Sequence, residues 1–160
     1  MRRVGLGRAV CVALWCFGTA ANADRCHETR ISVKGDWGQA QFRIDVADDP
    51  AERAQGLMFV EHMATDKGML FLYEVPQHAT FWMRNTLIPL DMIFIDPEGR
   101  VQNVHADAIP KDETVIDGGH GIVAVLEINA GLADRFGIAA GDVVQHPFFG
   151  AQAAWRCPQK

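Results

Sequence analysis

The chemistry of this chain is narrowed first by what it lacks. It has one serine, Ser32, with no Gly-x-Ser-x-Gly around it, which sets serine-hydrolase chemistry aside. Neither common form of Gly-rich phosphate loop is present. The run Gly118-Gly119-His120-Gly121 has no helix signal after it and reads as a turn. Histidines stand scattered at positions 27, 62, 78, 105, 120 and 146, and none belongs to a His-Glu-x-x-His pair, so no metal or cofactor motif is found. Cys-x-x-Cys is missing as well, which argues against thiol redox catalysis. Basic charge is short, with 15 Lys+Arg against 20 Asp+Glu and a formal net charge of −5. The first 23 residues hold Arg2, Arg3 and Arg8 and no acid. The remainder therefore carries 12 basic residues (15 less those three) against 20 acidic. Nucleic-acid binding rests on neutralising phosphates, so a surface this acidic speaks against it and against anionic membranes.

No apolar run approaches the ~18 residues of a membrane span. The longest early one, Ala9 to Thr19, follows the three arginines and precedes Ala21-Asn22-Ala23, the layout of a cleaved signal peptide over residues 1–23. Cys16 follows Trp15, too bulky for the position before a lipidated cysteine. The expectation is an exported protein, periplasmic or secreted and not membrane-embedded after processing. It would be a monomer with one globular domain over residues 24–160, about the size of an ordinary domain. Cleavage would leave Cys26 and Cys157 at the two ends, and in an oxidising compartment they are expected to pair. Closing so long a loop is worth at most about 5 kcal/mol in the chain-entropy picture.

The body reads mostly as strands. Arg30–Lys34 and Gln39–Ala47 flank Gly35-Asp36-Trp37-Gly38 and read as a hairpin; in the second run Phe42, Ile44 and Val46 alternate with Arg43 and Asp45. Asp49-Pro50-Ala51-Glu52 starts a short helix that Gly56 can end. Further strands are predicted at 69–73, 79–83, 92–95, 101–105, 122–128 and 142–145, with a second short helix near 130–136. Asp96-Pro97-Glu98-Gly99 is a turn. The predicted fold is mainly β (α+β), a compact single-domain antiparallel β-barrel-like core with two short helices.

Three blocks then carry a resemblance: Gly56-Leu57-Met58, Gly68-Met69-Leu70-Phe71, and the long run from Phe81-Trp82-Met83-Arg84-Asn85-Thr86 through Pro89-Leu90-Asp91-Met92 to Asp96. Together they closely resemble the signature of the domain-of-unknown-function 192 family. Val125-Leu126-Glu127 with Ala130-Gly131, and Gly137-Ile138 with Gly141-Asp142-Val143-Val144, match its C-terminal blocks. The resemblance covers about Phe42 to Gln145. It implies a compact, mainly β domain, often exported, without an established reaction or substrate.

Within these blocks the residues suited to a ligand pocket are Trp82, Asn85, Asp91, Glu127 and Arg53. Trp82 offers a flat apolar face with one donor, Asn85 a donor and an acceptor, and Asp91 an acceptor. Such a set fits a small polar organic ligand, and the first expectation is an exported binding or accessory module. The structural alternative has Asn85 and Asp91 pinning a bent loop, Trp82 in the core, and Arg53 with Glu127 as a buried pair. Asp91→Asn separates the two: a loss below about 1 kcal/mol fits a pocket and about 1–3 kcal/mol fits a pinned loop. A second alternative is a small hydrolase using Asp91 and Glu127 as paired carboxyls. A third is periplasmic Cu(I) binding, prompted by Met58, Met63, Met69, Met83 and Met92, although methionines on strands are more often core filler.

Overall fold

The computed structural model describes residues 26–158. The expected signal peptide lies outside them. Strand β1 (Arg30–Gly35) and strand β2 (Gly38–Ala47) form the expected hairpin across the two-residue loop Asp36-Trp37. Helix α1 (Pro50–Gln55) follows, started as its sequence requires: the Asp49 carboxylate accepts from the Glu52 amide at 2.8 Å, and Glu52 accepts in return from the Asp48 amide. The remaining elements are β3 (Lys67–Phe81), β4 (Leu90–Ile95), β5 (Val101–Ala108), β6 (Ile116–Asn129), α2 (Leu132–Phe136) and β7 (Val143–Gln145). A short 3-10 helix, Pro147–Gln152, adds a third helical turn to the two expected.

All seven strands join one sheet in the order β5-β4-β6-β3-β2-β1-β7. Three details depart from the sequence reading. The run Gly118-Gly119-His120-Gly121, read there as a turn, lies inside strand β6, where Gly119 pairs with Ala79 of β3. The run at 69–73 and residues 79–81 of the run at 79–83 belong to one long strand, β3, with Trp82 and Met83 beyond its end; its pairing with β6 slips between Leu72 and Thr80, where the mostly exposed segment from Glu74 to His78 intervenes. The pair β2–β3 is parallel, against an otherwise antiparallel sheet, because α1 and the chain to Asp66 carry the backbone back to the starting edge.

The sheet curls into a half-barrel whose two edges touch at one place. There β7 meets the turn leading into β5 through Val144 N–H to Gly99 O, Val101 N–H to Asp142 O and Gly141 N–H to Val101 O, each 2.8 Å. Side chains alternate between the two faces, giving two apolar clusters. Ile31, Val33, Phe42, Leu70, Ile93 and Leu126 fill the concave side. Phe71, Met92, Phe94 and Val125 point outward, where Leu57, Met83 and Ile88 from the loops cover them. Of the methionines raised as copper ligands, Met83 and Met92 are buried in this outer cluster, and Met63 and Met69 pack against it. Among the described residues no group of three His, Cys, Asp or Glu side chains is placed to hold a metal, and no helix is long and apolar enough to cross a membrane.

Cys26 and Cys157 are joined, with 5.6 Å between their Cα atoms. Thiol titration of unfolded, unreduced protein should accordingly find none of the thiol of this pair. Two titratable groups at positions 26 and 157 would contradict the bridge.

Candidate functional site

The cover over the outer cluster is sewn together by backbone hydrogen bonds. Met58 and Thr86 form an isolated antiparallel bridge, and the Phe59 amide donates to Asn85 O at 2.9 Å. Lys111 and Asp112 tie a third loop to Met83. Asn85 sits at φ 56°, a left-handed conformation that asparagine tolerates better than most residues, and its side-chain amide reaches only the Met58 sulfur, at 3.9 Å. Asn85 is thus a turn residue joining two cover segments.

Between α1, the end of β3 and the segment 82–86 this cover leaves a pocket of about 130 Å³. Arg53, Trp82 and Glu127 line it; Asn85 and Asp91 do not. Trp82 is 45% exposed at the mouth, with the Arg84 guanidinium 5.4 Å from its ring centre. Arg53 bridges α1 to β3 by donating to the carbonyls of Asp48 and Leu72, and its guanidinium lies 5.3 Å from the Tyr73 ring centre. Phe71 and Phe81, in edge-to-face contact, form an apolar wall.

Glu127 forms the floor. It lies in Val-Ala-Val-Leu-Glu-Ile, a stretch of β6 buried on both faces, opposite Met69 of β3 and Met92 of β4. Only 4% of its surface is exposed, and its carboxyl makes no hydrogen bond or ion pair with any described residue. Burial without a compensating charge disfavours the carboxylate and pushes its pKa up to about 8. At neutral pH the floor is therefore mostly a neutral carboxylic acid, able to donate and to accept. Arg53 does not pair with it, so the buried Arg53–Glu127 pair of the structural alternative is not formed. Burial also raises the Tyr73 phenol above its ordinary value; Arg53 opposes that shift and Glu127 adds to it.

Asp91 serves a different end. In the sheet Met92 stands opposite Glu127 and Asp91 opposite Ile128, so the Asp91 and Glu127 side chains leave opposite faces. Asp91 is fully buried, and its carboxylate accepts from the amides of Asp107 (2.9 Å), Gly131 (3.2 Å) and Ala133 (2.8 Å). Gly131 precedes α2 without a side chain to cap it, and Asp91 supplies that cap from a neighbouring strand. It does not line the pocket that Glu127 closes.

Several lining residues escaped the sequence reading: Tyr73, Arg84, Thr80 and Thr86 among them. Arg84 stands two residues from Trp82 inside the central motif, and Tyr73 is the sole tyrosine of the chain. Those were the signals available.

The architecture and the motifs place the chain among known proteins. The signature of the family described as DUF192, Uncharacterized ACR, matches residues 31–146, and the chain belongs to that family. A protein of unknown function from Novosphingobium aromaticivorans DSM 12444 is similar in structure at a TM-score of 0.71 and 49% identity, over 72% of this chain and 82% of that one. A chain from Sinorhizobium meliloti 1021, provisionally described as a transcription regulator, is similar at a TM-score of 0.71 and 36% identity, over 75% of this chain and 94% of that one. No curated protein matches.

Proposed function

We propose that this protein is a binding module whose pocket above Glu127 holds a small polar organic molecule. The observation that carries the reading is a carboxyl group buried at the pocket floor without a protein partner. Buried polar groups are nearly always hydrogen-bonded, and one left open toward a cavity is available to a ligand. The volume sets the scale: a dry cavity of ~150 Å³ holds benzene, so this one suits on the order of six to eight heavy atoms. Export belongs to the same reading, and its support is the Cys26–Cys157 bridge, since structural disulfides persist mainly in oxidising compartments. The regulatory description of the Sinorhizobium chain is not extended to this one, whose acidic balance does not favour nucleic acid.

The test is amide NMR with a set of small carboxylates, amines, amides and alcohols of about five to nine heavy atoms. Saturable shifts should gather at Arg53, Tyr73, Trp82 and Glu127 for at least one chemical class. Saturable shifts confined to other surfaces, or none in the whole set, would remove the pocket as a site.

A further inference from the structure

The polarity of the pocket runs in one direction. At the mouth stand two guanidiniums, Arg84 exposed and Arg53 half-buried, and neither has a carboxylate partner among the described residues. Arg53 spends one nitrogen, Nη1, on two carbonyls, which leaves Nε and Nη2 for other acceptors. Arg84 is held only by stacking on Trp82. The apolar wall of Phe71 and Phe81 follows inward, and the buried Glu127 carboxyl closes the end.

Resting on the reading above, we propose that the ligand is a small monocarboxylate bearing a second oxygen, keto or hydroxyl, at the end away from its carboxylate. The carboxylate meets the arginines at the mouth, where planar guanidinium groups match it. The carbon chain lies along the two phenylalanine rings. The far oxygen accepts a hydrogen bond from the protonated Glu127, which has no other partner. An ammonium ligand meets repulsion from Arg53 and Arg84 at the mouth and gains no countercharge from a neutral acid at the floor.

This arrangement couples binding to pH. The groups around Glu127 are Tyr73 from β3, Arg53 from α1 and Arg84 at the mouth, while β4 presents the uncharged Met92. Burial holds the Tyr73 phenol above its ordinary value. Glu127 is then the group among them that changes state near pH 8. When it ionises, the donor is lost and a negative charge faces the ligand oxygen.

The experiment is calorimetric titration of the full-length processed protein with 4-oxopentanoate, hexanoate and hexylamine at pH 7 and pH 9. The expected result is saturable binding of 4-oxopentanoate at pH 7, about tenfold tighter than hexanoate, and no binding of hexylamine. Affinity for 4-oxopentanoate should fall about tenfold from pH 7 to pH 9. In Glu127→Gln, whose amide donates without titrating, the pH 7 to pH 9 ratio should be close to one whatever the absolute affinity. Arg84→Met should weaken both carboxylates. Hexylamine binding as tightly as 4-oxopentanoate, or an unaltered pH ratio in Glu127→Gln, would overturn the assignment of ligand class. If the wider NMR set binds in the pocket without a preference for oxo- or hydroxy-carboxylates, this inference fails and the pocket reading stands. If nothing in either experiment binds there, both fail.

Discussion

Asp91→Ala is expected to lower the unfolding free energy by about 3–5 kcal/mol. Its carboxylate accepts from three backbone amides drawn from two separate segments, at Asp107 and at Gly131 and Ala133. Alanine leaves all three donors without an acceptor in a site from which water is excluded, and each unpaired buried group costs about 1–3 kcal/mol. Asp107 itself sits at φ 55° near the irregularly paired end of β5, so that end would lose the contact that offsets an unfavourable backbone conformation. Asp91→Asn keeps the shape but offers one acceptor oxygen where two are used, and turns an amide donor toward a backbone donor. It is expected to lose about 1–3 kcal/mol. Urea unfolding of both variants is the measurement. A loss below about 1 kcal/mol in Asp91→Asn would mean that the three amides do not depend on the Asp91 carboxylate.

Glu127→Gln should do the opposite, and its effect depends on pH. The wild-type carboxyl has a folded-state pKa of about 8, above the ordinary 4.5 that it regains on unfolding. Below pH 4.5 both states are protonated and the group takes nothing from stability. Between pH 4.5 and pH 8 the unfolded chain ionises while the folded chain holds its proton, so wild-type stability declines by about 1.4 kcal/mol per pH unit. Above pH 8 both states are ionised and the decline stops. Glutamine does not titrate. The stability difference between variant and wild type should therefore grow by about 5 kcal/mol from pH 4.5 to pH 8 and then level off. Denaturation midpoints measured across this range would check it, and a difference independent of pH would mean that Glu127 ionises in the folded protein as freely as in water.

Much of the fold was legible because its causes are local. The hairpin at Asp36-Trp37, the Asp49 cap with Glu52, and the Asp96 turn, whose carboxylate accepts from the Arg100 amide, all depend on residues a few positions apart. The parallel pairing of β2 with β3 was not legible, since nothing in either strand records its partner across α1. The site divides along the same line. Arg53, Trp82 and Glu127 were picked out by residue type, and they do line one pocket. Grouping Asp91 with them required a face assignment that β4 withholds: all six of its residues are buried, so it has no alternation of polar and apolar to read. Glu127 did carry a usable sign. An acid inside an apolar run that is buried on both faces must be paired or protonated, and no basic residue stands in the run Ile122–Ile128 around it.

The bridge between Cys26 and Cys157 has a mechanical meaning. With their Cα atoms 5.6 Å apart, the polypeptide enters and leaves the domain at one pinched neck, and the 131-residue span between them is a closed loop. Tension applied through the segments beyond the two cysteines would pass across the sulfur–sulfur bond and never reach the sheet. With the neck covalently shut, the pocket on the outer face stays out of the force path.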